Sequence, residues 1–184
     1  MGKTKINFRS AEGIARYPRL HKVDHLDNKY KTQLIMSPEA AKPLMTMCLK
    51  AGEEAFGNAD KLKMPWQIDE ATGDVVFVVK TLYEPKFVDA ATTPIHFANA
   101  PKIYSGSKLK VVGTIGEYEQ SKINKGINLN LNKVQILSLS DGDFDDDGEG
   151  FDAVEGGYVA PKTTKNDDDD YSGYEQDLND DFDY

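Results

Sequence analysis

The sequence predicts a small all-β fold with one helix, closed into a barrel or sandwich and followed by an acidic tail. Three observations carry that prediction. Lys108-Leu109-Lys110-Val111-Val112-Gly113-Thr114-Ile115 alternates in period two, and Ile127, Leu129 and Leu131 alternate again with Asn128, Asn130 and Asn132. Such alternation is the mark of half-buried strands. Ser37-Pro38-Glu39 is a helix-start signal, followed by Leu44, Cys48, Ala51 and Ala55 at helical spacing and closed by Gly57. From Asp141 onward the composition collapses into aspartate and glycine.

Length and charge set the domain plan. At 184 residues the chain builds one good core. Residues 1–140 hold 20 bases and 14 acids, whereas 141–184 hold 17 acids and 2 bases, so +6 sits against −15 in a total of −9. The expected division is a folded domain at 1–140 and a disordered acidic tail at 141–184. A basic body tied to an acidic tail suggests a polyanion-binding domain carrying its own competitor; the alternative is a tail that aids solubility.

A single cysteine, Cys48 between Met47 and Leu49, excludes an intramolecular disulfide and reads as a packed thiol. No apolar run approaches the roughly 18 residues of a membrane span, and the N-terminus has no apolar signal core. The expectation is a cytoplasmic protein with no membrane contact.

In chain order, residues 1–19 form a basic arm bearing Lys3, Lys5, Arg9, Arg16 and Arg19, parts of which could add to a sheet; with two aromatics it reads either as a nucleic-acid contact or as a plain edge strand with a solvated face. His21 and His25 have helical spacing, but the intervening acid does not follow a metalloprotease pattern and Asp27-Asn28 reads as a turn. A solvated loop is expected there, with no metal. Residues 30–36 alternate like a strand, with Tyr30, Thr32, Leu34 and Met36 on one side and Lys31, Gln33 and Ile35 on the other. Pro43 interrupts the following helix, which places its regular start near Lys42.

Residues 58–65 read as a loop and Trp66 as a hairpin-packing residue. Thr72-Gly73-Asp74 is a turn, and residues 75–82 are β-branched enough for a central strand. A long connection carrying Lys86 follows, then a short strand at Ile95-His96-Phe97. In the main hairpin Leu109, Val111 and Ile115 face inward, while Lys108, Lys110 and Tyr118 share the outer face. Its loop carries Lys122 and Lys125, and the shift of parity from Leu131 to Val134 predicts a bulge near Lys133.

The tail opens with half of a calcium-loop pattern at Asp143-Phe144-Asp145-Asp146-Asp147-Gly148, but Val154 stands where a bidentate glutamate is needed. Its recurring aromatics, among them Phe144, Tyr158, Phe182 and Tyr184, point to interaction rather than solvation alone. No catalytic set stands out anywhere, so the expected protein is not an enzyme and needs no cofactor. Among small closed β folds, the five-stranded OB barrel is the one whose open face commonly carries lysines and aromatics for single-stranded nucleic acid.

The run Gly106-Ser107-Lys108-Leu109-Lys110-Val111, then Tyr118, the strand at 127–131, Gly157-Tyr158-Val159-Ala160 and an acidic end bearing an aromatic resemble the phage single-stranded-DNA-binding proteins of T-seven-like replisomes. Lys3 and Tyr30-Lys31 also fall where that family has similar residues. The resemblance implies an OB fold that binds single-stranded DNA in replication, recombination and repair. It also implies a homodimer whose tail lies in the DNA groove when DNA is absent and docks on the replicative polymerase and helicase-primase. The expected DNA-binding set is Lys3, Tyr30, Lys31, Lys86, Lys108, Lys110, Tyr118, Lys122 and Lys125. The expected partner-binding set is Asp180, Asp181, Phe182, Asp183 and Tyr184. Two positions depart from the family: Gln120 replaces a second aromatic, and the tail ends in Tyr184 rather than phenylalanine. The rival reading is an acidic-tailed DNA mimic or assembly adaptor that does not bind DNA.

Overall fold

The structure is a computed structural model, and it describes residues 5–141. Lys3, the half calcium-loop pattern and the five tail residues from Asp180 to Tyr184 lie outside the described residues. Among those described, the order is β1 (Ile6–Arg9), β2 (Gly13–Asp24), β3 (Lys29–Met36), α1 (Pro38–Phe56), β4 (Trp66–Ile68), β5 (Val75–Thr81), β6 (Lys86–Val88) and β7 (Pro94–Ile95). A 3-10 turn at Phe97–Asn99 then leads to β8 (Lys108–Glu119) and β9 (Lys125–Ser138).

Five of these strands close on themselves. β2 pairs with β3, β3 with β5, β5 in parallel with β9, β9 with β8, and β8 back with β2. This ring is the five-stranded OB barrel expected from the sequence. Four short strands are added to it: β1 on β8, β4 on β5, and β6 with β7 beyond β9. Residues 6–24 supply β1 and a twelve-residue β2, so the arm does add to the sheet, and most of the solvated loop expected around His21 to Asp27 is the end of β2.

Alternation places the core. Leu109, Val111, Ile115, Ile127, Leu129 and Leu131 are all buried, joined by Leu34, Phe77, Val79 and Phe8 from the neighbouring strands. Each fully buried side chain of this size contributes about 1.5–3 kcal/mol. The predicted bulge is present. Gly113 faces Leu131 while Val112 faces Lys133, so Asn132 is the extra residue and the parity of β9 changes there.

A second bulge lies in β2, where Arg16 faces Gln33 and Arg19 faces Lys31, leaving three steps against two. Within it Tyr17 has φ +48°, a left-handed conformation that costs a residue other than glycine about 1–2 kcal/mol.

The helix begins at Pro38, not near Lys42. Ser37 Oγ accepts the Ala40 N–H at 3.3 Å, and proline at the first helical position loses no bond. Pro43 removes only the bond to Glu39, and burial of Ala41 and Leu44 on either side holds this turn. Gly57, at φ +75°, ends the helix by donating its N–H to the Glu53 carbonyl. Cys48 is buried on the helix's inner face, and burial pushes its thiol up to about 12, so it packs and does not react. No described helix is long and apolar enough to cross a membrane.

Candidate nucleic-acid interface

The tip of the β8–β9 hairpin is stitched to the segment before β4. The Lys63 N–H donates to the Lys125 carbonyl at 3.1 Å, and the Lys63 carbonyl accepts the Ile127 N–H at 2.9 Å. A side chain at Gly126 would run into the Lys63 carbonyl, so glycine is what permits the approach. Pro65 then accepts the Val78 N–H at 2.9 Å, fixing the same segment to β5. Trp66 is thereby held edge-on against Phe77, with ring centroids 5.9 Å apart.

Between these elements lies an open groove of about 740 Å³. Lys29, Lys63 and Lys80 line it together with Trp66, Tyr118, Gln120, Asn124 and Asn128, and no carboxylate residue is among its described lining. The Lys63 ammonium donates to Asn124 Oδ1 at 2.9 Å, and Asn124 Nδ2 donates to Gln120 Oε1 at 2.6 Å. The groove sits against the second and third strands of the ring, β3 and β5, and the loop between the fourth and fifth. That is where OB barrels hold oligonucleotides. Chemically it offers aromatic faces for bases, ammonium groups for phosphates and amides for polar edges.

The expected residues are not all here. Tyr118 lines the groove. Lys108 instead faces Glu12 at 3.6 Å, and Lys110 lies on a separate basic surface with Arg9 and Lys133. Lys86 is on β6, a strand inside what reads as a long connection, and is in register with Lys133. Lys31 is held by Asp24 at 2.7 Å and Asp27 at 3.4 Å. Its hydrogen bond, with help from the Leu26 N–H, keeps the Asp24 carboxyl below the usual range.

Tyr30 lies on the opposite side of β3 from Lys31, edge-on to Phe97 at 5.9 Å. Lys122 is exposed in the hairpin loop, and the Lys125 ammonium sits 5.1 Å from the centre of the Phe56 ring. Lys29, Lys63 and Lys80 are not among the residues expected from the sequence, and for Trp66 the sequence favours hairpin packing over base stacking. Trp66 does pack, but the run Lys63-Met64-Pro65-Trp66 sets a cation beside an aromatic and was the available signal.

His21 corrects another expectation. It lies in β2, not in a loop, and stacks on Phe87 with centroids 5.4 Å apart and planes 9° from parallel. Its Nε2 is buried without a hydrogen-bond partner, while His25 is exposed in the following turn. His96, read as a strand residue, instead caps the 3-10 turn, its Nδ1 accepting the Ala98 N–H at 3.3 Å. Among the described residues, no three His, Cys, Asp or Glu gather as metal ligands.

The ring and its groove define an OB barrel, and solved structures share it. Over 86% of this chain and all of the other, it matches the crystal structure of gp2.5, a single-stranded DNA-binding protein encoded by bacteriophage T7, with TM-score 0.68 and 24% identity. The single-stranded DNA-binding protein of bacteriophage Enc34 matches with TM-score 0.60 and 19% identity, over 78% of this chain and 85% of that one. The same Enc34 protein in complex with single-stranded DNA matches with TM-score 0.57 and 17% identity, over 74% and 88%. At these identities the likeness establishes the fold, and the phage proteins suggested by the sequence are found among the structures that share it. No family model and no curated protein sequence matches the chain.

Proposed function

We propose that this chain is a non-enzymatic, phage-type single-stranded-DNA-binding protein that holds DNA in the groove beside Tyr118 and Trp66. The observation that carries the reading is the make-up of that groove on the ligand face of an OB barrel, with two aromatics, three lysines and no carboxylate residue among its described lining. The bacteriophage proteins that share the barrel bind single-stranded DNA, which supports it.

The wider role is inferred from the resemblance. The protein coats single strands in replication, recombination and repair, and works as a homodimer in the host cytoplasm. Asp180, Asp181, Phe182, Asp183 and Tyr184 contact the replicative polymerase and helicase-primase. The division of charge, +6 on 1–140 against −15 on 141–184, supports a tail that competes with DNA.

A fluorescence titration of the full chain with labelled oligothymidine across a salt series tests this. Affinity should fall steeply with salt, by about 0.7 log units per contact per log unit of salt, and duplex of equal length should bind far less well. Equal affinity for the two forms would sink the stacking mode. The net charge of −9 favours the rival reading of an acidic mimic or adaptor. That reading requires no oligonucleotide binding at low salt, either by the full chain or by a chain lacking residues 141–184. A competing tail requires the shortened chain to bind more tightly, most of all at low salt.

A further inference from the structure

Outside the groove, one exposed aromatic sits on a left-handed backbone. Tyr17 is 64% exposed, fills no part of the core, and adopts φ +48° in the β2 bulge, where glycine would sit without strain. Its backbone N–H donates to Ser105 Oγ at 3.1 Å, and the Arg16 guanidinium lies 5.0 Å from the centre of its ring. A strained backbone that presents a ring to solvent is an outlier of the kind that collects at binding sites.

The register connects this bulge to the groove. Arg16 faces Gln33, and Gln33 faces Val78. Arg19 faces Lys31, and Lys31 faces Lys80. Directly opposed residues share a face of the sheet. Two rows of outward side chains therefore cross from β5 over β3 to β2, a span of about 10 Å at the usual strand spacing. Val78 and Lys80, at one end of these rows, line the groove. The middle residue Lys31 is occupied by Asp24 and Asp27, and Asp69 stands 3.9 Å from Arg16, so Arg19 and Lys80 carry most of the row's attraction for phosphate.

We propose that Tyr17, flanked by Arg16 and Arg19, is a second base-stacking subsite for single-stranded DNA, reached from the Tyr118 groove across the outer faces of β5 and β3. The proposal rests on the reading of the groove given above and extends it to Tyr17 in the basic arm of residues 1–19. One face of the ring meets Arg16, and the exposed remainder is open to a base. Aromatic stacking of this kind tolerates any sequence.

The test uses the full chain and two oligothymidines, of about 4 and about 12 nucleotides, at the bottom and in the upper half of the range one OB fold covers. Tyr17→Gly removes the ring while relieving the backbone, so a tyrosine kept only for packing would show its loss as a lowered midpoint rather than as a length-dependent loss of binding. The expected result is a fall of about 5- to 140-fold in affinity for the longer oligonucleotide. The shorter one, which the Tyr118 groove holds alone, should bind unchanged, and Tyr17→Phe should bind both as the parent does. The thermal midpoint of Tyr17→Gly should be equal or higher. Normal binding of the longer oligonucleotide by Tyr17→Gly would overturn the subsite. So would equal losses at both lengths, or a lowered midpoint. If the parent chain bound neither oligonucleotide, the groove reading would fall as well, an outcome that separates the two failures.

Discussion

The two ends of the β8–β9 hairpin share one alternation and differ in chemistry. At the Tyr118 end, two aromatics and three lysines surround a groove. At the Lys110 end, Arg9, Lys110 and Lys133 line a smaller pocket of about 460 Å³ with no aromatic among its described lining. Lys110 and Tyr118 are both outward, yet eight residues of extended chain separate them, about 26 Å. Period two fixes the face of a strand and says nothing about distance along it. A cation next to an aromatic can hold a nucleotide by both its phosphate and its base, whereas a cation alone meets only phosphate.

The sharpest way to break the comparison is to remove what both ends depend on. Val111 is buried between them, and Val111→Asp should cost about 4 kcal/mol by placing an unpaired charge in the core. Denaturant unfolding should then show the whole barrel weakened, with both surfaces lost together. A variant that unfolds like the parent would mean that β8 is assigned the wrong inner face.

Smaller effects separate the ends. Tyr118→Ala should weaken single-strand binding by about 1–3 kcal/mol, leave the unfolding midpoint nearly unchanged, and narrow the preference for single strand over duplex. Oligonucleotide titrations of both forms, beside a melting curve, check it, and normal binding would remove Tyr118 from the site. Lys110→Ala should have the least effect. It should lower the salt slope by about 0.7 for a single strand and weaken single strand and duplex alike. If Lys110→Ala changed the preference for single strand as much as Tyr118→Ala does, the two ends would not differ in kind.

Sequence patterning carried the barrel further than the site. The alternation of Leu109, Val111, Gly113 and Ile115 survives intact, and even the extra residue at Asn132 was readable from the shift between Leu131 and Val134. β2 was not readable, because the bulge at Tyr17 and Pro18 breaks its period halfway and sends the polar His21 toward Phe87. The groove was half readable for a different reason. Tyr118 belongs to a regular strand, but Lys63 and Lys80 reach it only through pairings with Gly126 and Asn130, 63 and 50 residues further along the chain. No local pattern encodes such pairings.

The way the strand path ends bears on how crowded molecules behave. The path runs from β1 to β7, and these two terminal strands are four and two residues long. One of the two residues of β7 is Pro94, which has no N–H to offer a neighbour. An edge this short, or one lacking a donor, gives a second copy little ladder to extend. Copies packed at high local concentration therefore meet one another through side chains and charge rather than by joining sheets, a safeguard against aggregation that lies in the edge strands themselves.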